Sequence, residues 1–176
     1  MEKNVLKVRM LGTFSLEYKG KELVLDRNKA SKTTQLFQLL MLHTEDSGIS
    51  KAAMIEALYG RVEVENKNSS LNNTIFRLRK QLRDIGLPES KYINIQSGMC
   101  YWDENIKVWV DVCEFKRLVE QVRTEKREGD RLQLWLKIWK IYKGEFLPDM
   151  IGENWAAVEN VQCRDEYFQV TTQLCQ

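Results

Sequence analysis

Residues 71–82 read Leu71-Asn72-Asn73-Thr74-Ile75-Phe76-Arg77-Leu78-Arg79-Lys80-Gln81-Leu82. On a helix turning roughly 100° per residue, Ile75, Leu78 and Leu82 fall within about 40° of Leu71. The spacing predicts a helix over residues 68–84 with one uninterrupted core stripe, closed by Gly86 and Pro88. The opposite side receives Asn66, Ser69, Asn73, Arg77 and Lys80, flanked by Phe76 and Arg83. Across residues 61–83 six cations (Arg61, Lys67, Arg77, Arg79, Lys80, Arg83) face two acids, Glu63 and Glu65, both of which precede the helix. Asn and Arg are the side chains that pair bidentately with adenine and guanine edges, and Lys and Arg bind phosphate. A merely solvated helix face has the same composition, so the order of the neighbouring elements must decide.

Upstream, Ser31 precedes a helical apolar stripe over 32–43 that holds Leu36, Leu39, Leu40 and His43. Ser50 opens a second helix over 51–59, with Ala53, Met54, Ile55 and Leu58 available to a core, and Gly60 stops it. Before these lies a small antiparallel meander. It comprises an apolar run from Val5 to Leu11, the alternation Phe14, Leu16, Tyr18, the turn Lys19-Gly20-Lys21, and a strand Leu23-Val24-Leu25. Downstream, residues 92–96 and 101–102 flank Ser97-Gly98-Met99-Cys100 as a hairpin with a Gly-containing turn, and residues 109–111 form a short strand or an extended linker. Three helices followed by a hairpin is the order of a winged helix, whose third helix enters the major groove. After it, helices are predicted over 114–126, 130–142 and 154–174, with Leu132, Trp135, Ile138, Trp139 and Tyr142 as core.

Composition narrows the classes of function. The chain has 176 residues, 43% hydrophobic and 30% charged, enough for one medium or two small packed units. The net charge of +2 hides a division: residues 1–100 carry 16 cations and 11 acids, and residues 101–176 carry 11 and 14. A basic front and an acidic back point to two modules with different partners. No apolar run reaches the length of a membrane span, and no apolar signal core follows Met1, which predicts a cytoplasmic protein. Cys100, Cys113, Cys163 and Cys175 lack metal or redox spacing and are read as reduced thiols; no metal or cofactor is expected. His43 is the single histidine, read as a cap or surface residue, and no catalytic motif is legible, so no enzyme is expected.

The run 71–82 resembles the recognition helix of OmpR/PhoB-type winged helices, whose centre is a hydrophobic–Arg–Leu–Arg–Lys–x–Leu string. Residues 36–42 and 50–60 resemble the first two helices of that family, and Leu11-Gly12-Thr13-Phe14 with Leu23–Leu25 its N-terminal sheet, in the variant used by Streptomyces antibiotic regulatory proteins. Val110-Asp111-Val112-Cys113-Glu114-Phe115 and Tyr142-Lys143-Gly144-Glu145-Phe146-Leu147-Pro148, with Trp155 and Glu159, resemble the bacterial transcriptional activator domain. The resemblance implies an α+β fold. A winged-helix DNA-binding domain over 1–108 would be followed, over 109–176, by a tetratricopeptide-like helical module that is part of a longer region.

Residue by residue, the resemblance implies base-facing roles for Asn73 and Arg77, and backbone-facing or neighbouring roles for Ser69, Thr74, Phe76, Arg79 and Lys80. It implies contact of loop 61–67 with RNA polymerase, and a homodimer or an effector role for the helical module. The wing departs from the family's Arg-Gly-x-Gly-Tyr, reading Ser97-Gly98-Met99-Cys100-Tyr101. Phe76 stands where the family often has arginine, exchanging a phosphate contact for packing or for contact with a thymine methyl. The expected function is sequence-specific double-stranded-DNA binding in transcription regulation. The alternative is a protein-interaction scaffold whose winged helix no longer binds DNA.

Overall fold

A computed structural model describes residues 4–174, which form an α+β chain of two small β-sheets and six α-helices. Two compact units divide it: one holds the residues up to Val8 with Ser15–Trp109, the other holds Arg9–Phe14 and the residues from Val110 onward. The second unit thus takes a segment from the N-terminal apolar run, which a simple boundary at 108/109 leaves with the first.

All but the last residue of β1 (Leu6–Arg9) and of the later β7 (Val108–Val110) belong to the first unit, where with β2 (Ser15–Tyr18) and β3 (Lys21–Leu23) they form a sheet in the order β3-β2-β1-β7. Alternation puts Leu6, Val8, Leu16 and Tyr18 in the core. The third strand ends earlier than its sequence predicts: Val24 is 65% exposed, and only Leu25 beyond it returns to the core. Helix α1 (Lys32–Leu42) is buried over nearly its whole length, from Thr33 to Met41. Its start is fixed by Ser31, whose hydroxyl accepts from Thr34 N at 3.2 Å. Strand β4 (Ile49–Ser50) leads straight into α2 (Lys51–Tyr59), where Ser50 accepts from Ala53 N at 3.1 Å. Met54, Leu58 and Tyr59 are the buried residues of α2, whereas Ala53 is exposed and Ile55 half-buried.

Helix α3 (Lys67–Asp84) follows, then the hairpin β5 (Ile93–Gln96) and β6 (Met99–Trp102). Ser97 and Gly98 both take positive φ, 51° and 76°, the geometry that a two-residue turn requires to match strand twist. A strand not foreseen from sequence completes this sheet: β4 pairs antiparallel with β6, Ile49 opposite Cys100, in the order β4-β6-β5. Phe37 of α1 meets the Trp102 ring edge-on at 5.8 Å, which seats the hairpin on the helices.

The second unit consists of α4 (Asp111–Thr124), α5 (Glu128–Ile141), a 3-10 turn (Pro148–Met150) and α6 (Asn154–Leu174), with the three helices packed on one another. Helix α4 begins at Asp111 rather than Glu114, and the Asp111 carboxylate accepts from Val112 N at 2.7 Å in its first turn. The N-terminal segment lies along the α5–α6 connection, with Gly12 N donating to Glu145 O, Leu147 N to Met10 O, and Leu11 bridging Phe146. Tyr142 stacks on Tyr167 at 4.0 Å, and Trp155 meets Phe146 edge-on. The aromatic stripe of α5 is only partly core: Trp135 and Ile138 are buried, but Leu132 and Trp139 are 48% and 60% exposed. Cys100, Cys113 and Cys163 are buried thiols, and the expectation for Cys175 lies outside the described residues. Among the described residues no helix is long and apolar enough to cross a membrane.

Candidate nucleic-acid interface

Two ends and one side fix helix α3. At its start the Asn66 side chain accepts from Ser69 N at 3.0 Å, so Asn66 caps the helix. At its end Gly86, at φ 95°, donates to Arg83 O, and Leu87 N donates to Leu82 O. That double closure needs the left-handed conformation glycine adopts cheaply, and Leu82 and Leu87 on either side of it are both buried. Leu71, Ile75, Leu78 and Leu82 are all buried, and the helix packs on α1 and α2. The predicted core stripe and the observed one coincide.

The residues expected to touch DNA divide into two groups. Ser69, Asn73, Phe76, Arg77 and Lys80 are exposed, with Arg83 beside them. Among the described residues no carboxylate is in ion-pair range of Arg77, Lys80 or Arg83. They stand as solvated cations on one side of a rigid helix, with Asn73 and Phe76 between them.

Thr74 and Arg79 are held by hydrogen bonds within the protein. Thr74 is 6% exposed, its hydroxyl 2.6 Å from the Tyr59 hydroxyl and 3.0 Å from Ser70 O, so it ties α3 to α2. Arg79 is half-buried and donates from Nε to Lys91 O at 3.0 Å and from Nη2 to Ile93 O at 2.7 Å. Its guanidinium holds the entry of the hairpin against the helix. The sequence string carries no sign of this, since the carbonyls it reaches are 12 and 14 residues away. Arg79→Ala is expected to lower stability by about 1 kcal/mol through two lost backbone bonds. The urea midpoint should fall, while the salt dependence of any DNA binding should stay that of the wild type.

The hairpin carries no charge from Ile93 to Trp102. Ile95, Gln96, Ser97 and Gly98 are its exposed positions, so it offers shape and amides to a groove but no cation. The loop 61–67 is exposed except for Val64 and Lys67, and lies directly before the start of α3. A polar cleft of about 430 Å³ sits apart from α3, lined among others by His43, Asp46, Tyr101, Asp103 and Glu104. Its carboxylates repel a polyanion.

A solved structure of Mycobacterium tuberculosis EmbR in complex with a low-affinity phosphopeptide matches this fold with a TM-score of 0.68 and 14% sequence identity. The match covers 95% of this chain and 44% of EmbR, so the chain spans less than half the length of that protein. No family model and no curated protein matches the sequence.

Proposed function

We infer that the chain is a sequence-specific regulator of transcription that binds double-stranded DNA through α3, set in the major groove of a winged helix. One observation carries this reading. Helix α3 is locked to the core on one side and presents Ser69, Asn73, Arg77 and Lys80, exposed and free of ion pairs, on the other. Such a face supplies both kinds of contact a duplex needs: bidentate donors for base edges and cations for phosphates. Asn73 and Arg77 are assigned to bases, and Ser69 and Lys80 to the backbone. The fold likeness to EmbR and the resemblance of residues 71–82 to OmpR/PhoB-type recognition helices support the assignment. The tetratricopeptide-like helical unit is assigned to assembly, a second copy being its simplest partner, since Val158, Val161 and Phe168 lie exposed along α6. The loop 61–67 is assigned to RNA polymerase, and the protein to the cytoplasm.

The test is a salt-titrated binding measurement on duplexes selected from a random pool. Arg77→Ala is expected to cost about 1–3 kcal/mol at a selected site and to relax preference at one base pair. Lys80→Ala is expected to weaken all duplexes alike and to reduce the slope of log affinity against log salt by about one. Equal binding of a selected site by Arg77→Ala and wild type at one salt concentration would remove α3 from the interface. The uncharged hairpin favours a second reading, a scaffold whose winged helix has left DNA; it requires that no salt-dependent binding appear even at low ionic strength.

A further inference from the structure

We propose that Phe76 reads the C5-methyl group of a thymine in the major groove, giving α3 an apolar specificity contact beside its polar ones. The proposal rests on the DNA-binding reading above and names a base that the same face recognises. In sequence, Phe76 has two alternatives, packing within the protein or contact with DNA. The structure removes the first: the ring is 70% exposed, and it takes part in none of the ring pairs formed by Phe37, Tyr92 and Trp102 in the same unit.

Its position is on the flank of the polar face. Phe76 lies about 140° round the helix from Leu71, close to the bearings of Ser69, Lys80 and Arg83, at roughly 160°, 180° and 120°. Asn73 precedes it by three residues and Lys80 follows it by four, so both are its neighbours on the helix surface. An aromatic ring on the flank of an otherwise polar and cationic face exposes apolar area to water that only an apolar partner recovers. The major groove displays one apolar group on its base edges, the thymine methyl, which phenylalanine is among the side chains to contact. The neighbouring Asn73 is matched to adenine by the same code, so an A·T-rich step is the natural target of the pair.

The experiment uses the whole chain and duplexes enriched from a random pool by the wild type. Each thymine of an enriched site is replaced singly by deoxyuridine, which deletes the methyl and leaves base pairing intact. For the wild type, one or two replacements should weaken binding by about fourfold, the value of one buried methyl-sized group. For Phe76→Ala the same duplexes should bind as tightly as the thymine parent, whereas Phe76→Leu should keep part of the sensitivity. Because the ring is exposed, all three proteins should unfold at the same urea concentration. Enriched duplexes that tolerate deoxyuridine at every position overturn this proposal alone, as does a sensitivity that persists unchanged in Phe76→Ala. Failure to enrich any duplex overturns the DNA-binding reading and this one with it.

Discussion

Replacing Asp111 by alanine is expected to destabilise the helical unit by about 3 kcal/mol or more. The Asp111 side chain is 2% exposed, and its two oxygens accept three backbone N–H groups: Met10 at 2.8 Å, Leu11 at 2.9 Å and Val112 at 2.7 Å. Two of these donors belong to the N-terminal segment, about 100 residues away in sequence. Alanine leaves buried donors without acceptors, and each such donor costs about 1–3 kcal/mol. The segment Arg9–Phe14, which also bonds Glu145 and Leu147, should come loose from the unit. Urea unfolding followed by tryptophan fluorescence measures the effect, since Trp135, Trp139 and Trp155 all belong to this unit.

The same residue makes stability depend on pH. Burial pushes the Asp111 carboxyl up to about 6 from its ordinary 3.8, outweighing the three N–H bonds and nearby Arg9, which act in the opposite direction. A raised folded-state value means that the folded chain holds its proton more tightly than the unfolded chain does. The contribution to stability is therefore full below about pH 4 and is lost as pH rises through about 6. Glu166, raised chiefly by burial, acts with the same sign. Asp111→Asn cannot titrate, so subtracting its urea midpoints from those of the wild type isolates Asp111. The difference is expected to fall between pH 4 and 7, and a flat difference would contradict the buried, titrating carboxyl.

Leu78→Ala is expected to cost about 2–5 kcal/mol of stability and to abolish DNA binding through the fold rather than the contact. Leu78 is fully buried, as are Leu71 and Leu82 beside it, and these residues hold α3 on α1 and α2. Truncation leaves a cavity that neighbours so tightly placed fill only in part. The comparison with Arg77→Ala is what makes the result informative: that variant should lose affinity at an unchanged urea midpoint, because its side chain touches solvent. Circular dichroism against urea, run beside the binding assay, separates the two. A stability loss below about 1 kcal/mol in Leu78→Ala would mean that this face of α3 is not core.

Local chemistry made α3 legible before any coordinates. Four leucine and isoleucine positions at helical spacing name the buried side, Gly86 supplies the stop, and the side left over is necessarily the exposed one. The starts of α1 and α2 were legible for the same reason, since Ser31 and Ser50 each act on an amide three residues ahead. Where the sequence was silent, distant partners were responsible. Arg79 donates to the carbonyls of Lys91 and Ile93, and Thr74 bonds Tyr59. Leu132 and Trp139 fit the helical pattern of a core, but α5 buries a narrower strip than that pattern allows. Strand β4 is two residues long, too short for any period to reveal, and exists only because β6 lies alongside it.

By itself, then, the sequence determined which helices form, where α1 and α2 begin, and which flank of α3 turns away from the core, because capping and periodicity act over three or four residues. Tertiary structure decided which side chains of that flank remain available, and which unit receives the N-terminal segment. Those choices depend on hydrogen bonds that close over 12 to 101 residues, and no local pattern encodes them.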